Sequence, residues 1–173
     1  MVIKNNCDFI FGFEAVMTNP NGDPDQENKP RMDYETKTAL VSDAPRKRDV
    51  RNFFKAKELP IFVDTLNDDK VPMDAMLEHY RETWLENEEK VLALFEEYPE
   101  IKELWEVMSS KSKKKGYKEI YEDKEVKKLK KEYARFNNLF TTALIQKELI
   151  DLRLFGSAMA VEGVTRTFTG PIQ

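Results

Sequence analysis

The chain has 173 residues, 35% of them charged and 40% hydrophobic, with 28 Lys and Arg against 32 Asp and Glu and a formal net charge of −4. This length allows one domain with an insertion or two small domains, and it is enough to bury a real core. The negative balance argues against a simple cationic nucleic-acid binder. A single cysteine (Cys7) and a single histidine (His79) exclude an intrachain disulfide and a Cys/His zinc site.

The average conceals segregation. Asp64–Glu106 holds 14 acidic and 4 basic residues, Lys111–Arg135 holds 11 basic and 5 acidic, and Val41–Lys57 holds 6 basic and 2 acidic. Such asymmetry lets one face attract polyanions while another repels them. Residues 1–6 carry no apolar h-region and no run is long enough for a bilayer, so the cytosol is the expected compartment and no membrane partner is expected.

In chain order, Asp8–Met17 alternates Phe9, Phe11 and Phe13 with Ile10, Gly12 and Glu14, which predicts a central strand covered on at least one side. Asn19-Pro20, Asn21-Gly22 and Asp23-Pro24 end it, and a turn-dense polar loop runs on to about Ala39. Ser42 or Asp43 can cap a following helix with Pro45 in its first turn. On that helix Val50, Phe53 and Phe54 fall on one side and Lys47, Arg48, Arg51 and Lys55 on the other, so it can seat on a sheet with its cations outward. Pro60–Asp64 reads as a short strand.

From Leu66 the spacing becomes helical, through Met73, Met76, Leu77, Tyr80 and Trp84, then Ile101, Leu104, Trp105 and Met108 behind Pro99. Trp84, Trp105 and the methionines are expected in the core. A lysine-rich connector (Ser109–Gly116) leads to an expected third, highly charged helix over Glu119–Arg135. Phe136 to about Leu154 predicts one more helix, and Val164–Phe168 a strand.

The chemistry-bearing candidates each have two readings. The Asn19–Asp33 loop is either an ordinary turn-rich surface loop or a backbone grip built from successive N–H groups with Lys29 and Arg31. Lys47, Arg48, Arg51 and Lys55 either form a solvated helix face or pair with phosphates, which positions a strand without reading its sequence. Asp23, Asp25 and Asp33 are turn formers or, alternatively, ligands of a divalent metal for phosphodiester cleavage. Of the lysines between Lys111 and Lys131, most are interleaved with carboxylates. Lys113-Lys114-Lys115 is undiluted and best placed for a polyanion. The residues alone give a cytosolic α/β domain with a cationic helix–loop surface.

The combination Asn19-Pro20-Asn21-Gly22-Asp23-Pro24, Pro30-Arg31, Ser42-Asp43, Lys47-Arg48 and Val50-Arg51, with Asp151-Leu152-Arg153-Leu154-Phe155-Gly156 and Thr169-Gly170-Pro171-Ile172-Gln173, resembles the Cas7 (RAMP) family, the repeated backbone subunit of type I CRISPR Cascade complexes. The pattern is most like subtype I-B, with I-C second. The resemblance implies an α+β fold, a modified RNA-recognition-motif (ferredoxin-like) antiparallel sheet. Residues 1–65 and 136–173 would form the palm and 66–135 a helical finger. It implies a non-enzymatic subunit that binds guide (CRISPR) RNA without a cofactor or metal. Copies would polymerise head to tail beside other Cascade subunits, and the guide would recognise target DNA. The RNA contacts it implies are Asn21, Gly22, Lys29, Arg31, Lys47, Arg48, Arg51 and Lys55. Alternatives are a type III-like, metal-dependent target-RNA-cleaving subunit, or a short decoy or regulatory form. The family's thumb-like hairpin lies beyond the Gly170-Pro171-Ile172-Gln173 motif, so an incomplete sheet and aggregation-prone behaviour outside an assembly are expected.

Overall fold

The computed structural model describes Asp8, residues 10–161 and residues 164–172. Phe9 and Cys7, named above, lie outside them. The fold is α+β. Its two compact units are Met1–Asp49 and Val50–Gln173, and the division falls inside helix α1 (Asp43–Lys55).

In the first unit, β1 (Gly22–Asp23) pairs antiparallel with β2 (Lys29–Pro30), and β3 (Met32–Asp33) with β4 (Thr38–Ala39). A single 3-10 turn, Pro24–Gln26, closes the first pair, capped by the Asp23 carboxylate accepting from the Asp25 N–H at 3.1 Å. The turn-dense loop is therefore two short successive hairpins. Asp8–Met17 is a correction: its described residues form no strand, and Ile10, Phe11, Phe13, Val16 and Met17 are all exposed. Alternation supplies a face, but a strand also needs a ladder partner, and the described strands pair only two by two with one another.

The second unit is mainly helical: α2 (Met73–Leu85), α3 (Glu88–Glu97), α4 (Pro99–Ser109), α5 (Tyr117–Tyr121), α6 (Lys124–Lys127), α7 (Lys130–Lys147) and α8 (Ile150–Phe155). A hairpin follows, β5 (Gly156–Val161) on β6 (Val164–Thr169), from Gly156↔Thr169 to Val161↔Val164, so the predicted strand at Val164–Phe168 is present. Gly156 closes α8 at φ 69° and ψ −178°, a conformation essentially confined to glycine.

Local chemistry explains the helix ends. The Asn87 side chain accepts from the Lys90 N–H at 3.0 Å and starts α3, and Pro99 occupies the first turn of α4. The single charged helix expected over Glu119–Arg135 is corrected to α5, α6 and the first turns of α7. Asp123 stops the run because its carboxylate accepts from the Glu125 N–H at 3.0 Å, a cap in the middle of the expected helix. The helix expected over Phe136–Leu154 likewise divides into α7 and α8 at Leu149, which is fully buried in a non-helical conformation.

One core joins α2, α3, α4, α5, α6, α7 and α8. Trp84, Trp105, Met76 and Met108 lie in it as expected, whereas Met73 is 43% exposed. Phe136 stacks on Phe140 with centroids 5.2 Å apart and meets Trp105 at 5.4 Å. Residue 135, where the resemblance ends the finger, falls inside α7, and α7 packs along α4.

Pro60–Asp64 is a second correction. It is not a strand, yet Ile61 and Phe62 are buried. Tyr80 on α2 holds it by donating its hydroxyl to the Ile61 carbonyl at 3.0 Å. Burial, helped by the Asp151 charge, pushes the Tyr80 hydroxyl from 10.0 up to about 12. The unfolded chain ionises at the ordinary value and the folded one at about 12, so this contribution is complete below pH 10.0 and lost as pH rises to about 12. Melting temperatures across that window should fall more steeply in the parent than in Tyr80→Phe. Parallel curves would contradict the assignment.

Candidate nucleic-acid interface

The first unit builds its loop from asparagines. Asn21, only 9% exposed, donates from its side chain to the Leu40 carbonyl at 2.9 Å, and its own carbonyl accepts from the Arg31 N–H at 3.3 Å. Asn19 donates to the Asn28 carbonyl at 2.6 Å. A Cβ on Gly22 would stand 1.9 Å from the Asn28 Oδ1, so a larger residue there would have to displace the Asn28 side chain. Asn21 and Gly22, two of the expected RNA contacts, thus play a constructional part and shape the loop that carries Lys29 and Arg31.

The Lys29 ammonium lies 3.0 Å from the Glu27 carboxylate, with both side chains well exposed. The Arg31 guanidinium stands 3.8 Å from Asp23, at the limit of an ion pair, and its side chain is 44% exposed. Asp33 accepts from the Thr36 hydroxyl at 2.7 Å and the Glu35 N–H at 3.0 Å, and these bonds hold its carboxyl below the usual range. Asp23 and Asp33 are therefore engaged in turn geometry, and no group of three or more His, Cys, Asp or Glu among the described residues is arranged to hold a metal ion.

On the first part of α1, the Lys47 ammonium pairs with Asp43 at 2.8 Å, one helical turn away, and lowers the Asp43 carboxyl. Arg46, absent from the expected contacts, pairs with Asp49 at 3.2 Å and lies 4.6 Å above the Phe13 ring. Arg48 is exposed.

The second unit holds the rest of α1 and contains the largest surprise. The Arg51 Nε donates to Asp151 at 3.0 Å, its guanidinium lies 5.0 Å from the centre of the Phe155 ring, and its side chain is only 12% exposed. Arg51 points inward. Asp151, fully buried, also accepts from the backbone N–H groups of Phe62 at 2.9 Å and Val63 at 3.1 Å. One carboxylate thus ties α1, the 60–64 segment and α8 together. Lys55 pairs with Asp64 at 2.9 Å and remains exposed. The outward stripe expected on α1 is therefore broken at Arg51. Its expected apolar seat is also corrected: α1 buries no residue fully, and Val50 and Phe53 are exposed. The sequence sign of the Asp151 anchor was an acidic residue opening a run in which Leu152, Leu154 and Phe155 are apolar.

The fold and this geometry define an α+β protein that exposes cations on its asparagine-built double hairpin and on the following helix. The family model for CRISPR-associated protein Cas7 matches residues 5–173, and the chain belongs to that family. No curated protein and no solved structure matches it. Among the described residues no helix is long and apolar enough to cross a membrane.

Proposed function

We propose that this chain is a guide-RNA-binding backbone subunit of a Cascade-type CRISPR interference complex, of the I-B kind or, second, the I-C kind. In this reading it works in the cytoplasm and polymerises head to tail along the guide beside other Cascade subunits. Target DNA is recognised by base pairing with the guide. Residues 1–65 and 136–173 form a palm of the RNA-recognition-motif type and residues 66–135 the finger. The chain grips phosphates and leaves cleavage to other components.

Family membership supports the RNA ligand. The observation that carries the assignment of contacts is the exposure of Lys29, Arg31 and Arg48 in the first unit, where the Asn19 and Asn21 side chains are bonded within the loop; Lys55, in the second unit, is exposed as well. Such cations bind backbone shape and carry no sequence information. Arg51 is left out because its guanidinium is committed to Asp151. The engagement of Asp33 by Thr36 and Glu35 supports the non-enzymatic reading.

The test is the Arg31→Ala/Arg48→Ala double variant of the full chain, binding two unrelated guide-length RNAs over a salt series. Both affinities should fall by about the same factor, and the slope of log K against log salt should shrink by about 0.7 per lost contact. An unchanged slope would refute the assignment of contacts. Magnesium-dependent RNA cleavage that disappears in Asp33→Ala would refute the non-enzymatic reading.

A further inference from the structure

The double hairpin of the first unit presents an aromatic ring beside its cations. Tyr34, directly after β3, is 67% exposed, and its hydroxyl donates to the Gln26 Oε1 at 2.9 Å. Gln26 belongs to the 3-10 turn of the first hairpin, so this bond joins the tips of the two hairpins. The backbone beneath the ring is held as well, because the Asp33 carboxylate accepts from the Glu35 N–H at 3.0 Å and from the Thr36 hydroxyl at 2.7 Å. The ring is therefore fixed at its root and at its hydroxyl while most of its surface stays open to solvent. Phe13, the other exposed ring of this unit named above, already carries the Arg46 guanidinium 4.6 Å above it. Arg31, with its side chain 44% exposed, lies three residues before Tyr34. Three residues span at most about 11 Å of chain, so the two side chains can meet a phosphate and a base within one short stretch of strand.

We propose that Tyr34 is a stacking platform for one unpaired base of the bound strand, a contact that rests on the guide-RNA reading above and adds a second kind of hold to it. Every base has a π-face, so stacking tolerates any sequence and suits a chain that leaves sequence to base pairing. It also differs from the cation contacts in its physics. Phosphate pairing releases counterions and weakens as salt rises, whereas a ring laid on a base displaces no counterion. A side chain already tied at both ends loses little freedom when a base settles on it, so less of the contact is spent on ordering. A duplex keeps its base faces covered by stacking on one another, so this contact favours the single strand.

The experiment titrates the full chain with a labelled single-stranded RNA of arbitrary sequence, and with an abasic ribose-phosphate oligomer of the same length, over a salt series. Tyr34→Ala should bind the RNA about five- to a hundredfold more weakly. Its slope of log K against log salt should match the parent's, unlike that of Arg31→Ala/Arg48→Ala. Tyr34→Phe and Tyr34→Trp keep a ring and should restore most of the affinity. Trp84 and Trp105 are buried, so RNA should change the fluorescence of Tyr34→Trp by an amount that the parent does not show. The parent and Tyr34→Ala should bind the abasic oligomer equally. RNA affinity unchanged in Tyr34→Ala would overturn the proposal, and so would an equal loss on the abasic oligomer, which would assign the ring to loop shape. If either occurs while Arg31→Ala/Arg48→Ala still shrinks the slope, stacking alone is refuted and the guide-RNA reading stands. A parent chain that binds no RNA at low salt refutes both.

Discussion

Asp151→Ala is expected to be among the most damaging single substitutions in the chain, costing about 3–5 kcal/mol of unfolding free energy. The carboxylate is fully buried and accepts from Arg51, Phe62 and Val63. Its removal strands a guanidinium that is 12% exposed together with two N–H groups. Breaking one side of a buried pair costs more than the pair is worth, because the remaining charge keeps its desolvation penalty. The companion variant Asp151→Ala/Arg51→Met removes that stranded charge and should recover part of the loss, with a coupling of about 0.5–3 kcal/mol in a urea double-mutant cycle. Additive effects of the two substitutions would contradict the clamp. The same result bears on RNA binding, since Arg51 is assigned to stability and Arg48, three residues earlier, to phosphate.

Phe136→Ala should cost a similar amount, about 3–5 kcal/mol. Phe136 is fully buried, stacked on Phe140 at 5.2 Å, and it faces Trp105 at 5.4 Å and Tyr121 at 6.3 Å. Alanine would leave a void walled by three rings on three different helices, which cannot all move in to fill it. Phe136→Leu keeps much of the volume and should cost clearly less in the same denaturant titration. Equal, small losses for both would mean that the ring does not organise this core.

Most helices were legible because they follow from local chemistry. Asp43 with Pro45 announced α1, the spacing Met76, Leu77, Tyr80, Trp84 announced α2, and Pro99 announced α4. The failures have a common cause in partners far along the chain. Pro60–Asp64 is apolar and β-like, but its N–H groups find a carboxylate 88 and 89 residues away instead of a neighbouring strand. Arg51 sits at a position that helical geometry places beside Lys47 and Lys55, yet a carboxylate 100 residues later draws it inward. Periodicity says which residues share a face and nothing of what that face meets. At the candidate interface the start of the turn-dense loop was readable from Asn-Pro, Asn-Gly and Asp-Pro. The inward turn of Asn21 was not, because an asparagine in a turn has several backbone partners within reach.

The measurement closest to the central claim is native mass spectrometry of the full chain mixed with guide RNAs of several lengths. A backbone subunit that covers RNA in fixed steps should add copies in proportion to RNA length, with each added copy requiring the same number of nucleotides. Substitution of Arg31 and Arg48 should lower occupancy without changing that step. A single copy per RNA regardless of length, or a chain that stays free of RNA at low salt, would contradict the account.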